Sequence, residues 1–179
     1  MGGENMGNDE SRKERVYLDT SYLLELIKKR VTQKGGDAIP DVQRSITRAK
    51  KNYQIVIPQI VVGEFFAKLP ERIEYQQNQL DFLNKFLDTL HEILGSNFDG
   101  LLPITRDAII VLKDMMEYYD DRIEPTDMVI IAQAATDQFS KILLTLDSKI
   151  LFSKGLRDFV EELQKNGKRT TPLEFRNAL

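Results

Sequence analysis

Short apolar runs rich in β-branched residues alternate with longer helical patterns along the chain, and no hairpin turn joins two of the runs. Strands are expected at 16–18, 54–57, 101–104, 142–145 and 169–171. Helical patterns occupy 20–31, 40–51, 60–68, 71–95, 106–119, 126–139 and 156–165. Strands separated by helices need crossover connections, so the expected fold class is α/β, with a central parallel sheet flanked by helices on both faces. Pro70 is expected to interrupt the third helix, and Gly95 to stop the long one after it. In that long helix Ile73, Leu80, Leu83, Leu87, Leu90 and Leu94 recur at helical spacing, as a core stripe or a dimer face.

A chain of 179 residues fits one domain and can bury a substantial core. Residues 1–15 are polar and charged and are expected to be a disordered leader, which leaves 16–179 as the folded domain. That leader has no apolar centre of the secretory kind. No apolar run approaches the roughly 20 residues that span a bilayer, so no membrane association is expected. The chain has no cysteine, which excludes a disulfide framework, a thiol nucleophile and a cysteine-rich zinc site. A reducing compartment suits that composition, and the cytoplasm is the expected location. The net charge of -3 weighs against a general nucleic-acid coat. Arg44, Arg48, Lys50 and Lys51 form a local basic patch, equally readable as an ordinary solvated helix face.

Four carboxylates stand apart from this background. Asp19 follows the first strand, and Asp147 comes just after the fourth. Glu64 sits one turn into a helix among Ile60, Val61, Val62, Phe65 and Phe66, and Asp127 lies in the first turn of the apolar helix that Pro125 opens. Burying a carboxylate without a partner is expensive, and ligands of parallel α/β folds collect at the carboxyl ends of strands. Should the fold gather the four, their repulsion asks for a cation, and oxygen-only ligation suits Mg²⁺ or Mn²⁺. Metal-dependent phosphodiester hydrolysis, of RNA above all, is then the expected chemistry. Each residue also has a plainer role. Asp19 and Asp147 can cap helices. Glu64 can pair with Lys68 on the surface. Asp127 can answer the helix dipole, which would also lower its pKa. The lone His91 lies in the long helix among leucines, which excludes a histidine-pair nuclease.

The sequence resembles the PIN-domain family of ribonucleases, and toxin-like members of the VapC type in particular. The resemblance is carried by Leu18-Asp19-Thr20-Ser21 and by Pro58, Glu64 and Phe66. It continues through Thr126-Asp127 with Ile131-Ala132 and Ala134-Ala135, Leu144-Thr145-Leu146-Asp147 and Thr171-Pro172-Leu173-Glu174-Phe175. These motifs fall in the family's order over residues 16–175. The resemblance implies a single PIN-like domain in which Asp19, Glu64, Asp127 and Asp147 are catalytic and hold Mg²⁺ or Mn²⁺. Thr145 would bind or orient within that site, or be a plain strand residue. It further implies an RNA substrate, products with 5′-phosphate and 3′-hydroxyl ends, and an antitoxin protein as partner. A homodimer is also expected, with the long helix as its candidate face. A PIN-like module that binds RNA or protein without turnover is the alternative, though such modules would be expected to lose acidic ligands. A haloacid-dehalogenase-type phosphatase would want a second Asp where Ser21 stands, and no phosphate-binding glycine loop is present.

Overall fold

Val16, Tyr17 and Leu18 are all buried, as are Ile55, Val56, Ile57 and Pro58, and Ile142, Leu143 and Leu144. Strands buried on successive residues have both faces covered, as parallel sheets between helical layers do. The computed structural model describes residues 13–32, 42–72, 76–118 and 123–179. Its sheet runs β3-β2-β1-β4-β5, parallel throughout, from β1 (Arg15–Leu18), β2 (Gln54–Pro58), β3 (Leu101–Leu102), β4 (Ser140–Leu144) and β5 (Glu174–Arg176). The helices are α1 (Thr20–Thr32), α2 (Val42–Asn52), α3 (Gln59–Arg72), α4 (Gln76–Leu94), α5 (Arg106–Met115), α6 (Pro125–Thr136), α7 (Ser148–Phe152) and α8 (Lys154–Lys165). A single turn of 3-10 helix, Met116–Tyr118, follows α5. The expected α/β architecture is therefore the observed one.

The departures are local. The last strand is not at 169–171 but beyond Pro172, where Glu174–Arg176 pairs with β4. Arg169 is instead a fully buried loop cation. Its Nη1 donates to the carbonyls of Ala134 (3.1 Å), Ala135 (2.9 Å) and Asp137 (3.0 Å), and its Nη2 to the carbonyl of Ser140. A cation at a helix C-terminus satisfies carbonyls that have no partner within the helix. Burial nonetheless pushes the Arg169 guanidinium down to about 10, and the charges of Asp137 and Tyr17 oppose that shift.

The third helix runs through Pro70 to Arg72 rather than breaking at the proline. A proline in the last turn removes one ladder bond without dividing the helix. Residues 33–41, which carry the expected start of the second helix, lie outside the described residues. So do Ile73 at the head of the long helix and residues 1–12 of the expected leader.

In α4 the core stripe is Phe82, Phe86, Leu90 and Ile93, with Leu94 packed against it, so the expected series reaches the core at Leu90 and Leu94 but not at Leu80 and Leu87. Phe86 stacks on Phe65 of α3 with centroids 3.8 Å apart, and Phe82 stacks on the same ring at 5.5 Å. Aromatic rings bury more area than leucines and so take the inward face. Leu80 and Leu87 are left exposed, as is Phe66 of α3, whose ring meets Phe86 edge-on. Gly95 ends α4 at φ 80°. Gly100 has no such backbone need, but a Cβ there would lie 2.1 Å from the carbonyl oxygen of Ile55.

Candidate active site

Asp19 is placed by the sheet itself. Its N–H donates to the carbonyl of Leu144 (3.0 Å), so it continues the β1–β4 ladder one step past the strand, level with Thr145. The Thr145 hydroxyl donates to Asp19 Oδ2 at 2.8 Å and accepts from the N–H of Asp147 at 3.0 Å. Ser21 Oγ donates to the same Oδ2 at 2.5 Å and accepts from the N–H of Leu146 at 3.0 Å. The Thr20 N–H reaches Asp19 Oδ1 at 2.7 Å. Two hydroxyls thus tie the turn after β1 to the turn after β4, and both carboxylate oxygens are engaged. Burial pushes the Asp19 carboxyl above the usual carboxylate range. The hydrogen bonds from Ser21, Thr145 and Thr20 pull the other way, and the charge of Glu64 adds to the rise.

Glu64 arrives on α3, immediately after β2. It is 8% exposed, so the expectation of a buried carboxylate holds. Thr20 Oγ1 donates to Glu64 Oε2 at 2.5 Å. The pairing with Lys68 also exists, since the Lys68 ammonium contacts Glu64 Oε1. Lys68 reaches on to Glu124 Oε2 at 3.1 Å and so bridges α3 to the start of α6. Burial alone would lower the pKa of the Lys68 ammonium. The hydrogen bonds and charges of Glu64 and Glu124 outweigh it and hold the group above the usual lysine value.

Asp127 is 7% exposed in the first turn of α6, a helix buried on nearly all sides. Pro125 opens that helix, and Glu124 at its N-cap makes no capping bond because its carboxylate serves Lys68. Among the described residues Asp127 has no side-chain hydrogen-bond donor. Its pKa is pushed up to about 7, by burial first and then by the charges of Asp19, Glu64, Asp147 and Glu124. This corrects the expectation from the helix dipole: desolvation and four like charges exceed a favourable terminus. Asp19, Glu64 and Asp147 thus lie near enough to Asp127 for their charges to act on it, after burial.

Asp147 fills the plainer role as well. It is the N-cap of α7, with Oδ1 accepting from the N–H of Lys149 at 2.8 Å. The basic patch is partly structural. Arg48 donates to the carbonyl of Leu179, and Lys50 to that of Glu92 at 2.7 Å. His91 is an exposed helix-face residue near the ring of Phe98.

Four carboxylates with supporting hydroxyls make a hard, oxygen-only donor set, which fits Mg²⁺ or Mn²⁺ in chemistry. In position, no three acidic or histidine side chains among the described residues stand close enough together to form a metal-binding group. Glu64 is held between Thr20 and Lys68 instead. Sequence reading does not single out Thr20, Ser21 and Glu124 for these roles, and gives Lys68 only as the partner of Glu64, not as a bridge to Glu124. A hydroxyl pair directly after Asp19 is the signal available.

Residues 16–154 match the family model of the PIN domain. A chain of VapBC2 from Rickettsia felis, bound to a DNA fragment from the promoter, is similar over 90% of this chain and 98% of that one, at 15% identity and a TM-score of 0.57. FitAcB from Neisseria gonorrhoeae covers 89% of this chain and 96% of its own at 14% identity and a TM-score of 0.48. No curated protein gives a significant match. The likeness to VapBC2 concerns the fold, whereas the family match spans β1 to the start of α8 and takes in Asp19, Glu64, Asp127, Thr145 and Asp147. By that match the chain belongs to the PIN domain family.

Proposed function

We propose that the chain is an endoribonuclease dependent on Mg²⁺ or Mn²⁺, of the toxin-like VapC type. The observation that supports this reading is that carboxylates from separate segments act on one another: the charges of Asp19, Glu64 and Asp147 add to the burial that pushes Asp127 up to about 7. Asp19, Glu64, Asp127 and Asp147 would hold the cation. When bound, it would supply Lewis acidity, activating a water and stabilising charge on the leaving oxygen. Thr145 and Ser21 are positioning residues, since their hydroxyls fix the Asp19 carboxylate. The expected products carry 5′-phosphate and 3′-hydroxyl ends. Cleavage of a mixed-sequence single-stranded RNA with Mn²⁺, against an EDTA control, tests the proposal. Cleavage that EDTA abolishes supports it, and no cleavage in either condition overturns it.

One observation favours a non-catalytic RNA- or protein-binding module. Glu64 is already neutralised by Lys68, and no three-ligand group is assembled. The two readings part at Lys68→Gln. For a nuclease, freeing Glu64 is expected to tighten Mn²⁺ binding several-fold in isothermal titration and to lower the melting temperature of the metal-free protein. For a binding module, Mn²⁺ affinity stays negligible in both proteins.

An antitoxin partner and a homodimer belong to the same proposal. VapBC2 is a two-component assembly by its name, and likeness to it supports the antitoxin reading. The exposed Leu80 and Leu87 of α4 and Phe66 of α3 offer apolar surface that self-association would use. Leu87→Glu is expected to shift a dimer to monomer in sedimentation analysis, while an unchanged dimer would place the interface elsewhere. No helix among the described residues is long and apolar enough to cross a membrane.

A further inference from the structure

Phe152 is 77% exposed, more than any other large hydrophobic side chain among the described residues. It closes α7, the short helix that Asp147 caps. Ile150 is the buried residue of that helix, so Phe152, two positions on, is turned about 200° away from the core contact. Lys149 precedes Phe152 by three residues and shares its outward face. The Lys149 backbone N–H bonds the Asp147 carboxylate at 2.8 Å, so the helix that carries Phe152 starts at one of the four expected carboxylates. Lys154 is exposed two residues further on, and Arg157 donates from its guanidinium to the carbonyl of Leu151. Acids share the surface around Arg157: Asp158 is exposed beside it in the chain, and Glu161 and Glu174 line one hollow with it. An aromatic ring held in water beside several cations has no folding rationale, because α7 gains nothing from its exposure.

We propose that Phe152, with Lys149, Lys154 and Arg157, forms a stacking platform for single-stranded RNA beside the acidic site. This rests on the ribonuclease reading and names how that site holds its substrate. The ring accepts a base face, which is tolerant of sequence, and the three cations meet the phosphates on either side. Phe152 lies five residues beyond Asp147, about 7 Å along the helix, so a stacked nucleotide would sit next to the scissile one. Charge favours RNA over an apolar protein segment here, since the exposed residues that flank Phe152 in the chain include Lys149 and Lys154.

The chain contains no tryptophan, which provides a direct probe. In Phe152→Trp the new indole is expected to be quenched by single-stranded RNA in EDTA, where cleavage is suppressed. By fluorescence anisotropy with a labelled RNA, Phe152→Leu is expected to bind about tenfold more weakly and Phe152→Tyr as wild type does, with melting temperatures unchanged. Lys149→Gln should reduce the salt dependence of binding by a little under one counterion. RNA affinity unchanged in Phe152→Leu, with no quenching in Phe152→Trp, overturns the platform and assigns this face to a protein partner. No RNA binding by the wild type overturns the ribonuclease reading beneath it as well.

Discussion

Asp19→Asn is expected to abolish RNA cleavage, a loss of at least about 100-fold, while leaving the fold in place. Asp19 is held at both oxygens, by Ser21 and Thr145 on Oδ2 and by the Thr20 N–H on Oδ1. In the asparagine variant the amide oxygen keeps the backbone bond, and the amide nitrogen faces two hydroxyls that can rotate to accept. The connection between the β1 and β4 ends therefore survives, and only the charge is lost. With that charge gone, one of the repulsions acting on Asp127 also disappears, so its pKa should fall toward the ordinary range. Asp127→Asn should be equally inactive. Cleavage rates with Mn²⁺, alongside circular dichroism and melting of both variants, separate loss of chemistry from loss of fold. Retained cleavage in both would remove these carboxylates from the mechanism.

The fold class was legible because its determinants are local. Apolar runs at β1, β2 and β4 lack polar alternation, and the segments between them are long enough for helical crossovers. The four carboxylates were legible because each interrupts or borders an apolar run, where a charge has a desolvation cost to answer. What failed depended on partners distant in sequence. Arg169 reads as a polar residue near a β-branched pair, and only the folded chain shows its carbonyl partners 29 to 35 residues away. Leucine periodicity finds only part of the core face of α4, Leu90 and Leu94, because the Phe65 ring on which Phe82 and Phe86 stack lies on another helix. For Glu64, burial and pairing with Lys68 had been opposed as alternatives. Both occur together, because a long lysine side chain can reach a buried carboxylate while staying partly in water. Asp147 likewise both caps a helix and adds its charge to the site.

Metal-free protein is expected to lose stability as pH rises from about 4 to 7, the reverse of what an ion-paired carboxylate gives. The Asp127 carboxyl has an ordinary value of 3.8 and is pushed up to about 7 in the fold. Below 3.8 it carries a proton in both folded and unfolded chains and contributes nothing to the balance. Between the two values the folded state keeps a proton that the unfolded state has released. Stability then falls with a slope of about 1.4 kcal/mol per pH unit, up to about 4 kcal/mol in all, and levels off above 7. Asp19, also raised by burial, adds to the same trend. A divalent cation binds the deprotonated carboxylates, so it should restore stability at pH 8 and do little at pH 5. Denaturation in EDTA at the two pH values, repeated with Mg²⁺, measures both effects. Asp127→Asn should flatten the metal-free profile and remove most of the Mg²⁺ response, since it deletes the titrating group and a ligand together. Metal-free stability that stayed level or rose between pH 5 and 8 would mean that burial and acidic neighbours do not hold the Asp127 proton in solution, and the case for a cation beside it would fall with it.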